Sequence, residues 1–218
     1  MSSQPKRLLF SHFAALARAL GHEHRLELLE HLGQSELSVE QLSSATGLAF
    51  ANVSQHLQLL RRNGLVEGRR AGKQVIYRLA EGPVVETIAA LQTLAEHNLV
   101  AAQSVIATYF TKLDDLAPID SDELMARLRD DTVTLIDVRP HSEYQAGHLP
   151  GARNVPLAEL EAHIRDLPPG REVVAYCRGP YCILSFEAVH LLRGRGLAAR
   201  RLAHGLPDWR AAGLPVVA

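Results

Sequence analysis

The chain has 218 residues, 23 Lys and Arg against 24 Asp and Glu, a formal net charge of −1 and 47% apolar content. That length suits two small domains better than one, and the composition is that of an ordinary globular protein rather than a disordered or fibrous one. It also argues against a membrane protein. The best candidate span, LVAAQSVIATYF, is well short of the roughly 20 apolar residues a bilayer requires and is broken by Gln103 and Ser104. The N-terminal MSSQPKRLLFSHF lacks the uninterrupted apolar stretch of a secretory signal, so a cytoplasmic protein without a membrane partner is expected.

In chain order, the first pattern is helical. FSHFAALARALGHEHRLELLEHLG carries apolar residues at three- and four-residue spacing. SVEQLSSATG reads as a short helix from a Ser38 cap to a Gly47 stop, and ANVSQHLQLLRRNG as another ending at Gly64. LVEGRRAGKQVIYRLA alternates apolar and polar residues around Gly68 and Gly72, the pattern of a hairpin. One long helix is expected from about Val84 to Phe110. TKLDDLAPIDSD, Thr111 to Asp122, interrupts the periodicity with acids and a proline and reads as the domain boundary. Beyond it, VTLIDV, EVVAYC and AARRLA read as short strands alternating with helical LAELEAHIRDL and LSFEAVHLLRGRG, which predicts a small parallel sheet with helices on its faces.

Helix, tight turn, helix and basic hairpin is the order of a winged helix-turn-helix. On the second helix Val53, Leu57 and Leu60 share one face, while Asn52, Ser54, Gln55, Gln58, Arg61 and Arg62 lie outside it. Short polar side chains near a helix N-terminus suit base edges, and arginines further along suit phosphates. Arg69, Arg70 and Lys73 on the hairpin are placed to reach flanking backbone. Between Arg61 and Arg78 six basic residues face one acid, Glu67, so an otherwise neutral chain carries a local positive patch. A solvated charged face is the competing explanation.

LAFANVSQHLQLLRRNGLVEGRRAGKQVIYRL resembles the recognition helix and wing of the ArsR/SmtB repressors. The resemblance covers about residues 8–110. It implies a homodimer, joined through its first and last helices, that binds a two-fold double-stranded DNA operator. The metal-binding variants of that family place a thiolate pair where this chain has Ser38 and Glu40 in ELSVEQL, and Glu81, Glu86 and His97 do not form the alternative ligand pattern. No metal and no cofactor are expected. The six histidines of this half are scattered along the sequence and read as surface or core residues, and it contains no cysteine.

Both cysteines of the chain flank one loop, in AYCRGPYCILSF. A thiolate at the end of a parallel strand and before a helix sits where α/β proteins place their sites, and the helix dipole and loop amides favour the anion. Cys177 is therefore the candidate nucleophile. LIDVRPHSEYQAGHLPGARNVP, the cysteine loop and GLPDWRAAGLPV, in that order, resemble the opening, active-site and closing signatures of a rhodanese domain over about residues 118–218. The resemblance implies sulfane-sulfur chemistry at Cys177, a persulfide-binding loop containing Arg178, Gly179 and Tyr181, Asp137 and Arg139 as organisers of the site, and Trp209 as a packing residue. Pro180 removes one loop amide, and Cys182 stands where a basic residue often helps hold thiosulfate. The related C-x5-R phosphatase pattern is absent, since Ile183 occupies the arginine position.

Two cysteines so placed can close a disulfide, trap sulfur as a trisulfide, or chelate As(III); two inert buried thiols are the bland alternative. The expected architecture is therefore a mainly α winged helix-turn-helix DNA-binding and dimerisation domain over 1–110, a linker over 111–120 and a small α/β rhodanese domain over 121–218. Three functions fit: a transcriptional repressor that senses polysulfide, persulfide or thiosulfate through a Cys177 persulfide or a Cys177/Cys182 disulfide; an arsenite- or antimony-responsive repressor using the same pair; and a sulfurtransferase carrying a DNA-binding domain, with turnover left open.

Overall fold

The computed structural model describes residues 4–218. The chain divides into two compact units, Met1–Val84 and Val85–Ala218.

The first unit contains α1 (Gln4–Leu20), α2 (Glu23–Gln34), β1 (Leu37–Ser38), α3 (Val39–Thr46), α4 (Phe50–Arg62), β2 (Val66–Ala71) and β3 (Gln74–Leu79). Arg25 joins the first two helices: it donates to the Ala19 carbonyl at 2.5 Å and the Arg18 carbonyl at 2.8 Å, satisfying acceptors that the end of α1 leaves open. Ser38 and Gln41 form a reciprocal capping box at the start of α3, and Gly47 ends that helix at φ 71°. Leu28, Leu42, Val53, Leu57 and Leu60 are fully buried, so the apolar stripe of α4 is the face that fixes it to the unit. The three-stranded sheet has the order β1-β3-β2 and is antiparallel. Its outer strand β1 is only two residues long, too short to leave a periodic signal in the sequence. Ala71 pairs with Gln74, so Gly72 and Lys73 make a two-residue turn in which Gly72 takes the required positive φ of 62°. Gly68 lies inside β2 instead, where a Cβ would press on the side chains of Tyr77 and Val75 at 3.1 Å.

In the second unit the expected single helix from Val84 to Phe110 is divided. It comprises α5 (Val84–Asn98), α6 (Val100–Val105), a π-helical turn (Ile106–Phe110) and α7 (Thr111–Leu113). Leu99 takes extended angles, φ −106° and ψ 107°. The Gln103 amide then donates to the Glu96 and His97 carbonyls at 2.9 and 3.1 Å, replacing helix bonds lost at the break. The rest is α8 (Ser121–Arg129), β4 (Val133–Asp137), α9 (His141–Ala146), β5 (Arg153–Asn154), α10 (Leu157–His163), β6 (Glu172–Tyr176), α11 (Ile183–Gly194), β7 (Ala199–Arg201) and α12 (Leu206–Ala211). The sheet is parallel in the order β5-β4-β6-β7. Ile119, within the boundary segment, is fully buried and bridges to Leu202 beside β7.

Alternation along β4 and β6 divides the core into two layers. Ile136, Val173, Ala175 and Cys177 pack with Leu160 of α10 and Ala188, Val189 and Leu192 of α11. Leu135, Val174 and Tyr176 pack on the other face with Leu124 of α8 and Trp209 of α12. Trp209 donates its indole N–H to the Pro215 carbonyl at 2.8 Å, so this residue anchors the chain end within the core.

Candidate functional site

β6 ends at Tyr176, and the chain turns through Arg178, Gly179, Pro180 and Tyr181 before α11 starts after Cys182. The turn closes with the Cys182 N–H donating to the Gly179 carbonyl at 3.2 Å, with Pro180 at a position that suits its fixed φ. Cys177 and Cys182 are joined as a disulfide, with Cα atoms 6.1 Å apart, and both are buried at 2% and 6% exposure. The turn folds the loop back so that the two rims converge. Cys182 is the N-cap of α11, and its carbonyl accepts from Ser185 Oγ at 3.0 Å.

The loop is gripped from three sides. Arg178 donates to both carboxylate oxygens of Glu143, on α9, at 2.6 to 3.1 Å, with side-chain exposures of 18% and 13%. The backbone of Gly205 lies against Arg178 and Gly179 so closely that a Cβ there would run into the Arg178 carbonyl. Burial, then the neighbouring Glu96 carboxylate of α5, pushes the Tyr181 phenol well above the ordinary tyrosine range. The ring of Phe110 contacts Tyr181 and Phe186 edge-on, with centroids at 5.4 and 4.8 Å. Arg201 stacks over Phe186 at 3.6 Å, reaches the Pro180 carbonyl at 3.5 Å and donates to Asp114 at 2.6 Å. Asp114 also receives Arg193 at 2.8 Å.

Asp137 and Arg139 form a fully buried ion pair. The Arg139 guanidinium donates to Asp137 at 2.6 Å and to the Gly147 carbonyl at 2.8 Å, while Tyr176 donates to Asp137 at 2.5 Å. Burial, then the Asp137 charge, pushes the Tyr176 phenol far up, so it serves as a donor. These contacts fasten the C-terminal ends of β4 and β6 on the sheet face opposite Cys177; the carboxylate points at Arg139 and Tyr176.

In the first unit, Asn52, Gln55, Gln58, Arg61 and Arg62 of α4 are exposed and Ser54 is half-buried. Gln58 leans on Ser54 at 3.5 Å, and Arg62 donates to the Gln58 carbonyl. Arg69, Arg70 and Lys73 are exposed on the hairpin. Arg69 is held by Glu36 at 2.7 Å and Arg78 by Glu67 at 2.5 Å, so two of the patch's cations carry their own counter-charges. The Glu36 contact spans 33 residues and leaves no local trace in the sequence. Three of the scattered histidines also meet: the rings of His22, His24 and His56 lie 4.7 to 5.9 Å apart. Burial, then His22, Arg25 and His24, pulls the His56 pKa down. Among the described residues no group of three or more His, Cys, Asp or Glu is arranged to hold a metal ion, and no helix is long and apolar enough to cross a membrane.

Residues 20–69 match the family of helix-turn-helix domains and residues 120–212 that of rhodanese-like domains. The chain is 41% identical over 214 residues to the HTH-type transcriptional regulator Rv0324 of Mycobacterium tuberculosis, covering 98% of this chain and 94% of that one. Its second half is 34% identical over 102 residues to a sulfurtransferase of Allochromatium vinosum, covering 46% of this chain and 94% of that one. The homodimeric winged helix-turn-helix domain of a possible ArsR-family regulator from Mycobacterium bovis is 36% identical, at a TM-score of 0.43, over 46% of this chain and 94% of that one.

Proposed function

Because the chain belongs to the HTH-type transcriptional regulators and carries a rhodanese-like domain, we propose that it is a homodimeric cytoplasmic repressor of the ArsR/SmtB type whose rhodanese loop senses reactive sulfur. In this reading residues 1–110 bind DNA and dimerise, 111–120 link, and 121–218 sense. Asn52, Ser54, Gln55 and Gln58 read operator bases, and Arg61, Arg62, Arg69, Arg70 and Lys73 engage phosphates. Exposed Phe10 and Phe13 on α1, with Leu94, Leu99 and Val100 around α5 and α6, are apolar surface that a second copy would cover.

The observation that carries the reading is the paired Cys177 and Cys182 on a loop whose Tyr181 and Pro180 are held by Glu96, Phe110 and the Arg201–Asp114 pair. In the reduced protein the Cys177 thiolate attacks the outer sulfur of a hydropersulfide, R–S–S–H. The donor's S–S bond breaks, R–S⁻ leaves, and Cys177 carries S–S–H. The Cys182 thiolate then attacks Cys177 Sγ and expels HS⁻, closing the disulfide. The donor is thereby the oxidant, and a thiol reductant reopens the loop. Each step alters the backbone between 177 and 182, and hence the contacts of Tyr181 and Pro180 with the helical segment.

A second reading, As(III) held by the reduced pair, draws on the same convergence of two sulfurs. Intact mass after hydropersulfide and after arsenite separates the two. The sulfur reading expects disulfide or whole-sulfur adducts, abolished by Cys177→Ser, with Cys182→Ser stopping at the terminal persulfide. An arsenite adduct together with indifference to hydropersulfide would replace it.

A further inference from the structure

We infer that Glu143 is a specificity-determining residue that sets the charge class of sulfur donor the loop accepts, excluding dianionic thiosulfate in favour of low-charge hydropersulfides. The inference rests on the proposed sulfur chemistry at Cys177. Arg178 is the cation next to the nucleophile, and Glu143 takes two edges of its guanidinium in a largely buried pair. The other arginine at the loop, Arg201, is likewise matched to the buried Asp114. Glu143 comes from α9, 35 residues from Arg178.

The consequence is electrostatic. Thiosulfate must bring two negative charges to cysteines that are 2% and 6% exposed. Desolvating them requires compensating positive charge, and a carboxylate already fixed on Arg178 both cancels that charge and repels the anion. Transfer from thiosulfate would form Cys177–S–S⁻ and expel SO3²⁻, so the dianion must be accommodated throughout. Transfer from R–S–S–H expels a single R–S⁻ and makes no such demand. The Pro180 ring, which removes one amide, and the use of the Cys182 N–H by Gly179 leave fewer loop donors to make up the deficit.

The test compares sulfur loading of the reduced full-length protein by thiosulfate and by cysteine hydropersulfide, followed by intact mass. The wild type should load from hydropersulfide at least about tenfold faster than from thiosulfate. Glu143→Gln, which keeps the shape and removes the charge, should raise the thiosulfate-to-hydropersulfide rate ratio roughly tenfold, and Glu143→Ala should move it in the same direction. Adding Arg178→Ala to Glu143→Gln should cancel the gain. An unchanged ratio in folded Glu143 variants, or parity between the donors in the wild type, overturns the inference and leaves the sulfur reading standing. Failure of the wild type to load from either donor overturns the sulfur reading itself.

Discussion

Replacing Phe110 with alanine removes one of the links between the cysteine loop and the helical segment following the hairpin. Its ring makes two edge-on contacts, to Tyr181 at 5.4 Å and to Phe186 at 4.8 Å between centroids. Each such pair contributes about 0.5–1.5 kcal/mol beyond its buried area, so the substitution removes about 1–3 kcal/mol of interaction between this helical segment and the loop together with the start of α11 behind it. Coupling between two sites cannot exceed the interactions that differ between their states. At about 1.4 kcal/mol per tenfold, the ratio of operator affinities between the reduced and sulfur-oxidised proteins should shrink by between about fivefold and a hundredfold. Tyr181→Phe is the milder companion: it keeps the ring and deletes the hydroxyl that senses the Glu96 carboxylate. The assay is fluorescence anisotropy of labelled operator DNA with each protein in both states, loop oxidation being verified by mass. An unchanged affinity ratio in a dimeric Phe110→Ala protein that still forms the disulfide would refute coupling through this contact.

Other positions give sharper local tests. Glu36→Gln releases Arg69 from its 2.7 Å ion pair; operator binding should tighten a few-fold, whereas Arg69→Ala/Arg70→Ala should weaken it and lower the salt slope by about one to two, as measured by titration at several ionic strengths. Gly205→Ala places a methyl group against the Arg178 backbone; overpacking there should cost about 1–3 kcal/mol and slow disulfide closure, read by thermal melting and mass. His56 has a pKa held below its usual 6.5 by burial, then by His22, Arg25 and His24. The unfolded chain therefore binds the proton more readily, and the stabilisation is present above about pH 6.5 and lost as pH falls through the folded-state value. Melting temperature should decline on that acidic side, and His56→Gln should flatten the decline.

What the sequence revealed was what its local periodicity encodes. The Ser38 cap, the Gly47 stop and the Val53–Leu57–Leu60 stripe each depend on residues within a turn or two, and the structure places them in that arrangement. β4 and β6 were legible as short apolar runs and β7 as the next short strand of the alternation, whereas β1 and β5, two residues each, were not. The division of the helix at Leu99 was hidden because the apolar pattern continues through it; the Gln103 side chain, an ordinary helix former, supports the break. The cysteine pair announced itself by proximity. The contacts around it, Glu143 on Arg178 and Asp114 on Arg201, join residues 35 or more positions apart and emerge only once the sheet and helices are assembled.

The most direct test of the account titrates reduced protein with hydropersulfide and follows two quantities in the same samples: the fraction of Cys177–Cys182 disulfide by mass and the operator affinity by anisotropy. Both should change together, a thiol reductant should restore both, and Cys177→Ser should bind the operator but show neither change. Full conversion of the loop with operator affinity unchanged in the wild type would contradict the account.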